Sequence, residues 1–216
     1  MRIAPEGWPF IRVALALDAA LLVVWYSFPG WPPVVLLALA VVLTIWVAAF
    51  FRDPERDGPR GEGLVIAPAD GRVCSIAQVE EPMYLHHNAT RVSIFMSVFN
   101  VHVNRFPVSG EVEVVHYNPG LFTVASHDKA SLVNEQSSVG IATARGPVLV
   151  RQIAGSIARR IVTDVGPGDQ AAQGVRFGMI RFGSRVDVFF DPAAAVKVQL
   201  NQVVRAGETV LAELPA

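Results

Sequence analysis

The stretch FGMIRFGSRVDVFF, residues 177–190, decides how the second half of the chain folds. Its apolar residues alternate with other residues on both sides of a Gly-Ser pair, and a period of two is typical of β-strands. The stretch therefore predicts two short strands with Gly183 and Ser184 between them. Because Gly183 has no Cβ, the backbone can bend or be approached closely at that point.

Two interpretations of this Gly-Ser pair are open from these residues alone. An isolated glycine in a strand usually marks a bulge, and Ser184 would then be a solvated serine. In the alternative, the Ser184 hydroxyl is a nucleophile that attacks the carbonyl group of Gly183 and breaks the chain there.

The composition is too apolar for an ordinary soluble domain. Hydrophobic residues make up 52% of the 216 residues and charged residues only 17%,. The net charge of −1 provides no field that favours nucleic acid, so no nucleic-acid partner is expected,. A single cysteine, Cys74, excludes an internal disulfide and a multi-cysteine metal cluster,.

Two apolar segments near the N-terminus predict a membrane-spanning helical hairpin. Residues 10–28 are mostly apolar, and residues 34–51 carry no charge over the length that a spanning helix needs,. Asp18 is costly in the first segment unless its carboxylate is paired. Arginines flank the outer ends, which predicts both chain ends on the cytoplasmic side of the inner cell membrane. The alternatives are a buried hairpin in a soluble protein and, for the first segment, a signal peptide, although no cleavage site precedes the turn.

From residue 64 onward the sequence pattern is typical of a β protein. Short alternating runs are separated by turn signals, and they predict a mainly β fold, a short-strand sandwich or barrel-like arrangement. A helix is expected at most around residues 125–136. We therefore expect a membrane-anchoring hairpin at 1–51, a charged linker at 52–63 and a β domain at 64–216.

Three polar residues stand out among apolar neighbours: Asp70, His102 and Ser184. The first two each have an ordinary interpretation, as a turn aspartate and a hydrogen-bonded core histidine. Together with Ser184 they could form an acid–base–nucleophile relay. Paired Cys/His spacings and phosphate-binding glycine loops are absent from the sequence, so no metal site is expected.

Six motifs occur in order along the chain: APADGRV (67–73), MSVFNVHVNRFPVSG (96–110), NPG (118–120), DKAS (128–131), VRQIAGSIARRIV (150–162) and RFGMIRFGSRVDVFF (176–190). Each motif alone is a weak to moderate signal, but six in this order are a strong one. Over about residues 60–192 the chain resembles the short form of phosphatidylserine decarboxylase. The resemblance implies a proenzyme that cuts itself between Gly183 and Ser184. The products would be a membrane-bound β chain, 1–183, and an α chain, 184–216.

The resemblance also implies the cofactor, a pyruvoyl group made from Ser184. The Ser184 hydroxyl attacks the Gly183 carbonyl to give an ester, elimination leaves dehydroalanine, and hydrolysis yields pyruvoyl and ammonia. The pyruvoyl ketone then forms a Schiff base with the amine of phosphatidylserine and accepts electrons from the C–CO₂⁻ bond, so that phosphatidylethanolamine is released. Asp70 and a histidine, His102, are implied as the groups that move the protons.

One position departs from the family pattern. Longer bacterial members carry two histidines three positions apart, and here the first matches His102 while the second falls on Arg105. Either His102 serves both maturation and protonation, or His116 or His127 takes one of the two tasks.

Other functions stay open at this stage. A membrane-anchored adaptor is one, because the segments 64–79 and 196–212 resemble lipoyl- or biotinyl-like units, although no lysine lies in the turn that such carriers modify. A decarboxylase for a related phosphoserine lipid is another, because only the headgroup meets the pyruvoyl group. An exposed strand edge would also permit a homo-oligomer.

Overall fold

The computed structural model describes residues 2–120, 134–155, 160–181 and 184–216. Within these ranges strands predominate over helices, and the largest sheet is curled into a half-barrel. The predicted mainly β fold with an N-terminal pair of apolar helices is therefore confirmed. Gly183, His127, the DKAS motif and most of the segment 125–136 lie outside the described residues.

The first of two compact units, Met1–Glu55, is a helical hairpin. It consists of α1 (Trp8–Ser27) and α2 (Trp31–Phe50), and its ends are joined by the antiparallel pair β1 (Arg2–Ile3) and β2 (Arg52–Asp53). Both helices are long and apolar enough to cross a membrane, as judged by their length and composition.

Asp18 is paired inside this hairpin. Thr44 of α2 donates a hydrogen bond from Oγ1 to Oδ2 of Asp18 in α1, at 2.8 Å. A polar contact between two apolar helices fixes their register, because sliding one helix would leave the carboxylate without its donor.

The second unit, Arg56–Ala216, contains the remaining strands. They are β3 (Leu64–Ile66), β4 (Gly71–Glu81), β5 (His87–Met96), β6 (Val103–Arg105), β7 (Gly110–Asn118), β8 (Gln136–Thr143), β9 (Gly146–Ala154), β10 (Ile161–Thr163), β11 (Gln170–Ala171), β12 (Arg176–Ile180), β13 (Ser184–Phe190), β14 (Ala195–Val196), β15 (Val203–Val204) and β16 (Val210–Glu213). The division between the two units falls inside the segment predicted as a linker.

Among the described strands of this unit, eight form one antiparallel sheet in the order β11-β7-β8-β9-β13-β5-β4-β15. Two smaller sheets have the orders β10-β12-β6 and β14-β16-β3. One apolar cluster takes residues from all of these sheets, including Phe177 of β12, Val186 of β13 and Leu211 of β16. The sheets therefore pack around a common core.

The deciding stretch 177–190 contains the two predicted strands, but they belong to different sheets. β12 lies in a small sheet, whereas β13 lies inside the large one, between β9 and β5. Ser184 is the first residue of β13 and not part of a separate turn. The strand that ends at Ile180 and the strand that begins at Ser184 therefore belong to different sheets.

Candidate functional site

Ser184 lies where three strands of the large sheet meet. It is opposite Met96 at the end of β5 and Ala154 at the end of β9. Its side chain is fully buried, and its hydroxyl donates to Sδ of Met96 at 3.3 Å. The interpretation of Ser184 as a solvated serine is therefore wrong. A thioether sulfur is a weak acceptor, so this contact holds the hydroxyl only loosely.

A chain of buried polar side chains continues from Met96. Asn104 donates to Sδ of Met96 at 3.8 Å, and Gln152 donates from Nε2 to Oδ1 of Asn104 at 2.8 Å. Oε1 of Gln152 in turn accepts a hydrogen bond from Thr163 at 2.9 Å. Because buried polar groups are costly unless they are hydrogen-bonded, this chain fixes the side chains next to Ser184.

Sequence reasoning did not select these polar residues, although a signal was present for one of them. In β9 the core-facing positions are Val148, Val150, Gln152 and Ala154, and the three apolar members belong to the common core. A glutamine in such a row is an exception that predicts a buried hydrogen-bond network. Asn104 lacked a comparable signal because β6 is only three residues long.

His102 is fully buried and directly precedes β6. Its carbonyl oxygen accepts a hydrogen bond from the N–H of Ile180 at 3.3 Å, four residues before Ser184. Its Nδ1 lies 3.0 Å from the carbonyl oxygen of Asn100. Because a carbonyl can only accept, this contact places the proton of the neutral ring on Nδ1 and makes Nε2 the basic nitrogen.

The structure brings the segments of His102 and Ser184 to one region. Asn104, two residues after His102, contacts Met96, and Met96 contacts Ser184. This proximity depends on pairing between strands that are distant in the sequence. The roles of the two residues remain a prediction.

Asp70 is buried in an ionic cluster of its own. Its Oδ2 accepts a hydrogen bond from Arg56 at 2.7 Å, and its Oδ1 accepts one from the N–H of Ala206 at 2.8 Å. Arg56 also pairs with Glu208 at 3.0 Å. Both carboxylate oxygens of Asp70 thus have partners outside the expected relay, and its link to His102 remains a prediction.

Arg105 and His116, the alternative histidine that lies among the described residues, have surroundings of their own. Arg105, at the position of the second family histidine, donates from Nη1 to the carbonyl oxygen of Gly174 at 3.1 Å. His116 is exposed on β7, and β8 and β9 lie between β7 and the strand of Ser184. His116 lines a separate cavity of about 400 Å³ with Arg91 and Arg151. The sheet order therefore favours His102 over His116.

Comparison with known proteins decides the family. The family model described as phosphatidylserine decarboxylase matches residues 43–212. The chain belongs to the phosphatidylserine decarboxylase family. It is 50% identical over 214 residues to the phosphatidylserine decarboxylase proenzyme of Azorhizobium caulinodans, covering 98% of this chain and 88% of that protein.

Two further members of the phosphatidylserine decarboxylase family are similar over almost their whole length. The proenzyme of Nitrosomonas eutropha is 50% identical and that of Symbiobacterium thermophilum 47% identical, with 98% and 99% of this chain and 94% and 96% of those proteins covered. The resemblance drawn from the six motifs is thereby confirmed, and so is the expected enzyme class, a lyase. The family favours an enzyme over a membrane-anchored adaptor.

Proposed function

We propose that this chain is a proenzyme that cuts itself between Gly183 and Ser184 and then decarboxylates phosphatidylserine to phosphatidylethanolamine. The observation that carries the proposal is the position of Ser184, fully buried at the start of a strand that is paired on both sides. Among the described residues, the hydroxyl of Ser184 donates to the sulfur of Met96, a weak acceptor that leaves its oxygen available as a nucleophile,. The 50% sequence identity to phosphatidylserine decarboxylase proenzymes supports phosphatidylserine as the substrate.

The surroundings of Ser184 fit a pyruvoyl group. The group would be the N-terminal residue of the α chain, and the pairing of β13 with β5 and β9 would hold that new chain end in place. The site is screened from water, which protects an electrophilic ketone and strengthens electrostatic interactions. When formed, the group supplies an electron sink for the electrons of the C–CO₂⁻ bond.

His102 is the proposed base for maturation. An unassisted serine hydroxyl is a weak nucleophile, so its proton must be taken as the bond to the Gly183 carbonyl carbon forms. Nε2 of His102 can accept that proton because Nδ1 carries the proton of the neutral ring,. The same ring can later return a proton to the carbon that has lost CO₂.

The proposed site of action is the cytoplasmic face of the inner membrane. Two apolar helices precede the catalytic unit, and their outer surfaces are covered with exposed side chains such as Leu15, Leu39 and Ile45. Such surfaces are stable in lipid and costly in water. The hairpin would hold the catalytic unit beside a membrane that contains its lipid substrate.

The experiment compares Ser184→Ala with a matched control, Ser93→Ala. Ser93 is also fully buried in the large sheet, and its hydroxyl has no hydrogen-bond partner among the described residues. Intact mass should show two chains for the wild type and for Ser93→Ala, and one uncut chain without lipid turnover for Ser184→Ala. If Ser184→Ala gives fragments of the wild-type masses, the proposal is wrong.

A further inference from the structure

Three large apolar side chains are exposed on loops and a short strand of the catalytic unit, and one of them lines a cleft. Phe99 is 73% exposed, Leu200 57% and Val203 61%. The cleft has a volume of about 350 Å³, and it is lined by Gly71, Arg72, Phe95, Ser97, Asn100 and Val203. Val203 thus lines the cleft directly, while Phe99 is next to the lining residue Asn100 in the chain.

These apolar side chains are held in place by their loops. Leu200 lies in a turn whose backbone is fixed by a bond from the N–H of Gln199 to Oε1 of Gln202 at 2.9 Å, and Asn201 has the positive φ of 68° that the turn requires,. Phe99 lies in the segment after β5, where Oδ1 of Asn100 accepts from the N–H of Ser97 at 2.8 Å. Their exposure is therefore part of the fold.

The cleft and the proposed site share a residue. Asn100 lines the cleft, and its carbonyl oxygen orients His102. A molecule that enters the cleft therefore contacts a residue that positions the proposed base.

A cation lies at the edge of the cleft. Arg72 is exposed, and its Nη1 donates to the carbonyl oxygen of Asn201 at 2.6 Å. This bond uses one of the five N–H groups of a guanidinium, so the others can bind an anion. An apolar rim with an arginine between its members matches the chemistry of an anionic phospholipid surface.

We propose that Phe99, Leu200 and Val203 form a membrane-facing rim that dips into the headgroup layer, and that Arg72 binds the phosphate of a phospholipid entering the cleft. This rests on the proposed function, for which the headgroup must leave the bilayer surface to reach Ser184. The unit that carries the rim is tethered to the apolar helices, because it begins at Arg56, a few residues after the end of α2.

A fluorescent label tests the rim without reference to activity. In a Cys74→Ser background the chain has no other cysteine, so Leu200→Cys can be labelled with an environment-sensitive dye. Val175→Cys is the matched control, since Val175 is 54% exposed and outside the rim. In proteoliposomes of phosphatidylcholine and phosphatidylserine, the label at position 200 should shift to the blue and resist iodide quenching, while the label at 175 should do neither.

Two results would overturn the rim. One is equal iodide quenching at positions 200 and 175. The other is a blue shift at 200 that appears in detergent without phospholipid and grows with protein concentration, because the rim would then contact a second copy of the chain.

Substitution of Arg72 tests the phosphate contact. Loss of one arginine at an anionic surface weakens binding about fivefold. Arg72→Ala should therefore raise KM for vesicle-borne phosphatidylserine about fivefold with kcat unchanged, and Arg72→Lys should restore most of the affinity. Arg145→Ala, at another exposed arginine, should leave KM as it is.

An unchanged KM in Arg72→Ala would contradict the phosphate contact. A wild type that makes no phosphatidylethanolamine would contradict the proposed function, and the fluorescence result would still be valid.

Discussion

The proposed role of His102 depends on its hydrogen bond to the carbonyl oxygen of Asn100, which leaves Nε2 as the basic nitrogen. General acid–base groups contribute about 10²–10⁴-fold to a rate, so His102→Ala should lose at least that factor in lipid turnover. Measuring chain cleavage separately identifies the step: an uncut chain makes His102 the maturation base, and a cut but inactive chain makes it the proton donor. His116→Ala is the control and should be cut and active. Normal cleavage and turnover in His102→Ala would remove His102 from the mechanism.

Asp70 has a structural and a catalytic interpretation, and Arg56 separates them. Asp70→Asn removes the charge, whereas Arg56→Gln removes the partner at 2.7 Å and keeps the carboxylate. If Asp70 orients the base, Asp70→Asn should be cut slowly and partially while Arg56→Gln is cut normally. Equal rates of cleavage in the two variants, followed on denaturing gels over time, would assign Asp70 to the ionic cluster alone.

At the residue scale, sequence patterns selected Ser184 as the proposed nucleophile and missed its polar neighbours. Ser184 was selected because its Gly-Ser pair lies in a local motif that occurs in order with five others. The partners of Asp70 could not be predicted, since Arg56 and Ala206 are distant in sequence and Arg56 lies in a charged segment that reads as a linker. An ion pair between two distant segments, such as Arg56 and Asp70, produces no periodic pattern in the sequence of either segment.

At the scale of elements, β13 shows what alternation does and does not predict. Its period of two predicted the strand, yet all seven of its residues are buried. Arg185 and Asp187 neutralise each other in a two-point ion pair of 2.6 and 2.8 Å, which allows the polar face of the strand to be buried,. An alternating pattern cannot tell a solvated polar face from a paired one.

This ion pair yields a prediction for stability. Asp187→Asn leaves the Arg185 charge buried without its carboxylate, and such a loss costs about 3–5 kcal/mol. The double variant Arg185→Met with Asp187→Leu should lose less, because neither charge remains buried. Urea unfolding in detergent measures both, in the Ser184→Ala background so that one chain unfolds. A double variant no more stable than Asp187→Asn would contradict this account.

The end of β4 carries a carboxylate that links stability to pH. Burial opposes the ionisation of Glu81, but the N–H groups of Tyr84 and Leu85 and the guanidinium of Arg151 together hold the pKa of Glu81 below its ordinary value of 4.5. A folded pKa below the unfolded one means that the stabilisation is present above pH 4.5 and is lost as the pH falls towards the folded pKa,.

Glu81→Gln should therefore lower Tm at pH 7 and flatten the fall of Tm below about pH 4.5. Its neighbour Glu80 is exposed and provides the control, since Glu80→Gln should keep the wild-type profile. Parallel profiles of Tm against pH for Glu81→Gln and the wild type would contradict the linkage.

At the scale of the whole molecule, the membrane attachment is testable by extraction. Two helices of spanning length should keep the protein in the membrane at high salt and at alkaline pH and release it only with detergent,. Release by salt alone would mean surface adhesion. In sealed right-side-out vesicles, tags at both ends should be protected from protease, and cleavage of either tag from outside would reverse the proposed orientation.

The helical hairpin and the mainly β fold were predictable, because each follows from the local sequence pattern. The order of the sheets was not. β6 and β12 are neighbours although residues 106–175 lie between them in the chain, and β10 joins the same small sheet. Such pairings are decided by which apolar faces fit together in the core, and single segments do not carry that information.

The strands from Ser184 onward are divided between two sheets, so a cut before Ser184 would make folding a process that happens once. β13 and β15 belong to the large sheet, while β14 and β16 belong to a small one. While the chain is continuous, these strands find their places as parts of one molecule. After a cut before Ser184, an unfolded protein would have to reunite two separate polypeptides, a second-order search that dilution slows and aggregation interrupts. The lifetime of the mature enzyme would then be set by how slowly it unfolds, and a damaged molecule would be replaced by new synthesis instead of refolding.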